Sequence, residues 1–461
     1  MSKRSVTIAI ATVTFTAAVI AVAAQTITFE SVISTVEQMG GLKFNPHPNL
    51  EKVESNEAAN IVDTAVSMFR IQMAKEPQSR DAHAKGHGCA EAEFTVNPNL
   101  PANLRAGVFA EPGQTFDALI RFSNGQGSTT GDAIPQGHGM AIKLIGAVKG
   151  GNLLGTGDTQ DFMLVDNPRF LVRSAKDYAL LERAVLQDHK PDRYILFRAI
   201  REALAAAGRA DAEDFSDEGV AQIAAGIVAL QSAPQALSQT LTNLFGSQAM
   251  AVQKALFVEL AQMKAGKAPL EAVIAPELNK VIGSSLAVPY FSMTSYLFRT
   301  GNYADTAVKY SARPVDCNTG KPVSSRVVPA KPEENFLAID LSTSLKREQA
   351  CFEFFVQTLP ADVSTDKRKT LVEDARLSYG TSEIPVARIV IPVQDTSLSG
   401  KQAYCENLSY NPWQATASQQ PLGALNRARK VAVTASSIRR HLFTGKERQE
   451  PTTVQEYRSL R

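Results

Sequence analysis

The chain is poor in the residues that mark several classes of protein. It contains one tryptophan, four cysteines and six histidines in 461 residues, and its formal net charge is only +2. Because basic residues form no long clusters, we expect no nucleic-acid partner. With 44% hydrophobic and 20% charged residues, the composition is that of an ordinary globular protein.

Motifs for several common chemistries are also missing. There is no G-x-S-x-G, no phosphate-binding P-loop and no G-x-G-x-x-G after a strand, which argues against serine hydrolases and nucleotide enzymes. No C-x-x-C occurs, so a zinc site built on cysteines is not expected. The cysteines are widely spaced and allow three full pairings, and we expect them to be buried or to form one pair: Cys89, Cys317, Cys351 and Cys405.

The N-terminus differs from the rest of the chain. "MSKR" supplies two cations and residues 5–29 carry no charge, which is the pattern of an export signal, with an A-x-A cleavage motif that ends at Ala23. We predict that residues 1–24 are a signal peptide and that residues 25–461 fold outside the cytoplasm, in a periplasm or extracellularly. The alternative is an uncleaved membrane tether formed by residues 5–29, since this stretch is long enough to cross a bilayer.

The remaining chain changes its hydrophobic pattern along its length. From about residue 89 to 166, short apolar runs such as "FDALIRFS" and "GMAIKLIG" are separated by Gly, Pro, Asn and Asp, which is typical of an antiparallel sheet or barrel. Residues 191–283 are rich in Ala and Leu and predict helices. Strand patterns return in "VPYFSMTSYLFRTGNYADTAVKYSARPV" and "PVARIVIPVQD", and "PLGALNRARKVAVTASSIRRHLF" predicts a helix. The sequence therefore predicts one α+β domain with a helical insertion at about 191–283.

Two histidines, His83 and His87, stand four residues apart in "RDAHAKGHGCAEAEF", as they do in helical zinc motifs. Because Gly86 and Gly88 flank the second histidine, a helix that would bring both rings to one face is not expected. The pair therefore does not predict a metal site. The histidine of "QGHGM" is expected in a turn, and the others are expected to be solvated: His47, His189 and His441.

The order of short segments is more informative than any single motif. "RDAHAKG" is followed by "LIRFSNGQG", "GMAIKLIG" and "GTGDTQDFMLVDNPRF". This order, over about Arg80 to Phe170, resembles the haem catalase superfamily, and it is similar to the divergent catalase-like branch, the catalase-related peroxidases. Two later stretches, "YFSMTSYLFRTGNYADTAVKYS" and "ENLSYNPWQATASQQPLGALNRARKVAV", resemble the same branch. The resemblance implies an α+β fold with a catalase-type antiparallel β-barrel, surrounding helices and the helical insertion.

The resemblance also implies roles for individual residues around a haem b. His83 corresponds to the distal histidine, which moves a proton between the two oxygens of a bound peroxide. Asp158 stands where catalases have a distal asparagine, and an ionised carboxylate cannot donate a hydrogen bond to peroxide. Arg121 and Arg80 would hold the haem propionates through charge-assisted hydrogen bonds.

The proximal segment departs from the catalase pattern. Catalases bind the iron through a tyrosinate, with an arginine four residues earlier on the same helix face. In "NRARKVAVTASS" the arginine is Arg429, but Val433 occupies the expected tyrosine position and has no lone pair for iron. Tyr410 and Tyr457 are too distant in sequence to replace it on the same turn, and His441 lies two turns further along the helix.

These features leave two hypotheses for the function. The first is a haem-dependent oxidoreductase that acts on hydrogen peroxide or on organic hydroperoxides, with a degenerate proximal site. The alternative is an exported catalase-fold protein that has lost haem ligation and catalysis. An interaction module formed by residues 191–283 is a third reading, but such Ala-rich helices are more often packing layers. The sequence gives no oligomeric state.

Overall fold

The computed structural model describes most of the chain that follows the N-terminal segment. The described residues are 28–38, 43–54, 56–188, 192–209, 216–264, 277–448 and 450–461. The signal peptide predicted for residues 1–24 lies outside them. Within the described part of the chain, no helix has the length and apolar character needed to cross a membrane.

The strands form one antiparallel sheet that closes into a barrel. In chain order they are β1 (Gly86–Val96), β2 (Thr115–Asn124), β3 (His138–Leu144), β4 (Gln160–Val165), β5 (Tyr290–Phe291), β6 (Tyr296–Phe298), β7 (Thr306–Val315), β8 (Ala350–Thr358) and β9 (Glu383–Ile391). The sheet order is β5-β4-β3-β2-β1-β9-β8-β7-β6, and a further pairing of β5 with β7 closes an eight-stranded ring. The predicted antiparallel barrel is therefore confirmed.

The barrel interior follows from the alternation of side chains along each strand. In β2, Ile120 and Phe122 belong to the core of the barrel, so Arg121 and Ser123 point to its outer surface. Gly139 of β3 lies on the same outer surface, opposite Ser123 in the register of the two strands. Closely packed aromatic rings fill the centre of the barrel: Phe94, Phe109, Phe162, Tyr310 and Phe354.

Helices surround the barrel, as predicted. They are α1 (Phe29–Gln38), α2 (Glu57–Lys75), α3 (Ala175–Asp188), α4 (Asp192–Ala206), α5 (Asp217–Val228), α6 (Pro234–Phe245), α7 (Ala249–Lys264), α8 (Phe336–Arg347), α9 (Thr365–Glu373), α10 (Ser399–Asn407), α11 (Ala424–Thr444) and α12 (Gln455–Arg458). Helices α4 to α7 lie between β4 and β5 in the chain and share an apolar cluster of their own. They fall within the range predicted for the helical insertion.

Helix α11 is the long C-terminal helix predicted from "PLGALNRARKVAVTASSIRRHLF". It begins after Gly423 and ends before Gly445, and both glycines have a positive φ that other residues adopt only at a cost. Its apolar face packs with α1 and α2. Among the helix's buried residues, Arg427 pairs with three carboxylates: Glu51, Glu57 and Glu373.

All four cysteines are paired, so the expectation of a single pair is wrong, whereas Cys89, Cys351 and Cys405 are buried as expected. Cys89 of β1 is bonded to Cys405 of α10, and Cys317 is bonded to Cys351 at the start of β8. The Cα atoms of the two pairs are 5.7 and 5.2 Å apart. The partners are far apart in sequence, which is why spacing alone did not reveal them.

Candidate functional site

His83 lies outside the barrel, in the segment that leads into β1. Its φ of 57° is in the left-handed region, which is uncommon for a residue other than glycine. The backbone N–H donates to the Gly125 carbonyl at 3.2 Å, and Nδ1 is 3.1 Å from Oγ of Ser123. A Cβ atom at Gly139 would lie only 2.5 Å from Nδ1. The glycine of β3 therefore leaves the space that the imidazole occupies against the barrel wall.

The surroundings of His83 favour a neutral imidazole. Burial is the largest effect, and with the nearby charges of Arg121 and Arg429 it lowers the pKa of His83 to about 4. At neutral pH one ring nitrogen is then free to accept a proton, which is what a distal base requires. The main-chain N–H of Asp81, two residues before His83, donates to Oγ of Ser436 in α11 at 3.2 Å, so this helix lies beside the segment that carries His83.

The two arginines predicted for the propionates lie together beside His83. Arg121 donates from Nη1 to the His83 carbonyl at 3.0 Å and from Nη2 to Oε1 of Glu406 at 3.2 Å. Arg80 donates to Oε2 of Glu406 at 2.6 Å and to the Leu408 carbonyl at 2.7 Å. Both arginines therefore already bind one carboxylate of the chain itself.

A third arginine, which the sequence did not single out, completes this group. Arg440 of α11 donates to the main-chain carbonyl of Glu406 and, at 3.1 Å, to that of Leu408. Burial and the neighbouring Arg80 lower its pKa to about 8. We call Arg80, Arg121, Arg440 and Glu406 the arginine cluster. The only sequence signal for Arg440 was the basic end of "SIRRHLF".

Asp158 lies apart from His83. It is exposed in the loop before β4, and its carbonyl accepts a hydrogen bond from Val148. The loop follows the Leu144 end of β3, whereas His83 contacts the Gly139 end. Five residues of strand separate these ends, or about 17 Å at the usual rise per residue. This geometry does not support a distal role for Asp158.

On the proximal side, Arg429 and Val433 share a face of α11 that is less buried than the rest of the helix. Arg429 donates to Oγ1 of Thr294 at 3.2 Å and to Oδ1 of Asn426 at 3.1 Å. Val433, one turn further on, presents only methyl groups to this face. The helix therefore offers no iron ligand at the expected position.

Of the other donors considered from the sequence, Tyr457 is engaged elsewhere, whereas the Tyr410 hydroxyl is buried and has no hydrogen-bond partner among the described residues. The Tyr457 hydroxyl donates to the Cys89 carbonyl at 2.6 Å, and the Tyr410 ring lies 5.3 Å from the Lys143 ammonium. His441 is half-buried, contrary to the expectation of a solvated ring, and its Nδ1 is 3.0 Å from the Lys446 carbonyl.

Two further histidines form buried hydrogen bonds within the fold. His87 is buried between Oγ of Ser285 and Oδ1 of Asn124, each at 2.8 Å. His138 does not lie in the predicted turn, because it begins β3 and pairs with Asp166 at 2.9 Å. Within the described ranges, no group of three or more His, Cys, Asp and Glu side chains could hold a metal ion.

The residues present would fit the propionates and the peroxide side of a haem, but they would not bind its iron. Three guanidinium groups and a neutral distal imidazole suit the propionates and the peroxide side, although Glu406 already fills part of the cluster. At the iron, Val433 supplies no ligand. The side chains therefore do not provide a complete haem site.

Known proteins resemble the chain in fold only. No protein-family model matches it, and no curated protein sequence matches it significantly. Catalase A from Saccharomyces cerevisiae is a similar solved structure, with 14% identity and a TM-score of 0.45 over 77% of this chain and 58% of that chain. A fungal catalase has 12% identity and a TM-score of 0.48 over 80% of this chain and 62% of its own. A bacterial catalase has 14% identity and a TM-score of 0.47 over 83% of this chain and 59% of its own. The chain thus spans less than two thirds of each of these catalases. Such distant likenesses assign no role to any residue.

Proposed function

We propose that this chain is an exported protein of the catalase superfamily that has lost haem ligation, and with it catalase and peroxidase turnover. The observation that carries the proposal is the face of α11 on which Arg429 is followed by Val433. Aliphatic carbon cannot replace an axial oxygen, nitrogen or sulfur ligand. The placement of Asp158 at the far end of the β3–β4 hairpin supports the same conclusion.

The disulfides support the proposed location. Two disulfides in one chain are typical of proteins that fold in an oxidising compartment, such as a periplasm or the extracellular space. The uncharged N-terminal stretch is consistent with export, whether it is cleaved or kept as a membrane tether.

A second candidate is a haem-dependent oxidoreductase that acts on hydrogen peroxide or organic hydroperoxides. The pair formed by His83 and Ser123 favours it, because the hydrogen bond orients an imidazole that is neutral at physiological pH. In that case haem b would sit between His83 and the face of α11, with the arginines at its propionates. Its chemistry would be the cleavage of a peroxide O–O bond.

The two candidates differ in the absorption spectrum of the natural chain after haem is supplied and the protein is dialysed. Loss of haem ligation predicts that no Soret band survives dialysis. A surviving band, with peroxide turnover that His83→Ala abolishes, would establish the second candidate instead. Peroxide turnover should be measured on the same samples, since free haem has a low activity of its own.

A further inference from the structure

Glu406 occupies the centre of the arginine cluster. Each of its carboxylate oxygens accepts from a different guanidinium, Oε2 from Arg80 at 2.6 Å and Oε1 from Arg121 at 3.2 Å. Partial burial alone would raise the pKa of the half-exposed Glu406 carboxyl, but the charges of Arg121 and Arg80 hold it at about 2. Asp81, another acid of this region, pairs with Arg439 at 3.0 Å. Glu406 is thus the carboxylate that neutralises this group of cations.

The barrel wall is shaped to admit this carboxylate. A Cβ atom at Gly86 would lie 2.7 Å from Oε1 of Glu406 and 3.0 Å from Nη2 of Arg121. A larger residue at this position would force one of the two side-chain ends to shift. The first residue of β1 therefore leaves room for the contact between Glu406 and Arg121.

A covalent bond fixes the helix that carries Glu406. Cys405, its neighbour in α10, is bonded to Cys89 of β1, three residues after Gly86. The two cysteines are 316 residues apart in sequence and both are buried. The disulfide therefore holds the end of α10 against the strand that borders the arginines.

The carboxylate separates the cations from solvent. The side chain of Glu406 is 50% exposed, whereas those of Arg80 and Arg121 are 13% and 3% exposed. An acidic ligand that approaches these arginines from solvent meets Glu406 first, and two carboxylates repel each other at short range. Without this carboxylate, the three guanidinium groups would lose their shared counter-charge and would favour an external anion.

We propose that Glu406 is a built-in carboxylate that fills the arginine cluster and excludes the carboxylate of an external ligand from it. The proposal rests on the proposed function, because a chain that no longer ligates iron has no propionate to neutralise these arginines. Glu406 then determines which ligands the site accepts. Removing it opens a site for small carboxylates.

The test is chemical rescue by sodium propionate, with sodium chloride at the same ionic strength as the reference. Glu406→Ala lowers the Tm of the full chain because its cations lose their partner. Propionate at about ten times its Kd should raise that Tm by about 2 °C or more beyond the effect of chloride, and should leave the natural chain unchanged. Glu406→Gln keeps the shape of the side chain without its charge, and propionate should raise the Tm of this variant as well.

Glu91→Ala is the matched control, since it removes the acid that pairs with Arg458 outside the cluster. It should show no specific response to propionate. The proposal is overturned if propionate does no more than chloride for both Glu406 variants, or if the control responds equally. Because propionate contains neither iron nor porphyrin, these outcomes are independent of the haem spectrum that tests the proposed function.

Discussion

The distal and proximal sides of the candidate site differ in how much of the arrangement implied by the sequence resemblance they contain. On the distal side, His83 is bonded to Ser123, and Arg121 and Arg80 lie beside it with further hydrogen bonds to main-chain carbonyls. On the proximal side, Arg429 is present but Val433 stands at the position where the resemblance implies an iron ligand.

The difference shows that a hydrogen-bonded network and a single metal ligand are not equally easy to lose by substitution. The distal side is a network in which the buried arginines have several partners, and removing one of these groups would leave others buried and unpaired. An axial ligand is one side chain, and a valine in its place packs without any such penalty. A chain can therefore keep its distal residues for stability after its chemistry at the iron has been lost.

Restoring the missing ligand is the change with the largest expected effect. Val433→Tyr places a phenol one turn after Arg429, whose charge lowers the phenol pKa and favours a tyrosinate. We expect this variant to retain haem through dialysis, with a Soret band that the proposed function predicts to be absent from the natural chain. Val433→Phe, which has the ring without the hydroxyl, should retain none. Equal bands in the two variants would mean that residue 433 does not face the iron.

Two arginines of α11 should differ in how much they contribute to the stability of the chain. Arg427 is buried among Glu51, Glu57 and Glu373, so Arg427→Met leaves unpaired buried carboxylates and should cost about 3–5 kcal/mol of unfolding free energy. Arg429→Met removes hydrogen bonds to two neutral partners and should cost about 1 kcal/mol. Urea denaturation of both variants gives the comparison, and similar losses would contradict it.

The two disulfides allow a test of how much the bond next to the arginine cluster contributes to stability. Cys89–Cys405 closes a loop of 316 residues and Cys317–Cys351 one of 34. In the chain-entropy model, removing the first by double substitution to Ala should cost about 2 kcal/mol more than removing the second. The measurement is the free energy of unfolding in urea for the two double variants. A larger loss for the second pair would show that the tie between β1 and α10 adds little.

The fold could be predicted from the sequence more completely than the site could. Runs such as "FDALIRFS" and "GMAIKLIG" predict strands because alternation is a local property, and they correspond to β2 and β3. The prediction that His47 is solvated is wrong, since its Nε2 is 3.1 Å from a carboxylate oxygen of Asp305, 258 residues away. No local pattern indicates such a partner.

The same reason explains the parts of the site that sequence reasoning missed. Glu406 and Arg80 are 326 residues apart and meet only because β1 and α10 pack together. The resemblance to catalases pointed to Arg80, Arg121 and His83, but it did not indicate that the chain supplies its own carboxylate. It also suggested Asp158, whose position depends on the length of the loop between β3 and β4.

The smallest expected effect is the pH dependence that His83 confers. Its pKa is about 4 in the folded chain and about 6.5 when unfolded, so below pH 6.5 the unfolded chain binds a proton that the folded chain does not. The contribution of the neutral ring is therefore complete above about pH 6.5 and is lost as the pH falls towards 4.

His83→Gln should flatten the decrease in unfolding free energy between pH 6.5 and 4 by up to one proton, as measured by urea denaturation at a series of pH values. The pKa values of His87 and His441 are also lowered, so the difference between variant and natural chain, and not the natural curve alone, reports on His83. Ser123→Ala keeps the imidazole and should retain the slope. Identical curves for His83→Gln and the natural chain would mean that His83 is protonated as readily in the folded state as in the unfolded one. The distal side would then be open to water, and the contrast with the proximal side would rest on Val433 alone.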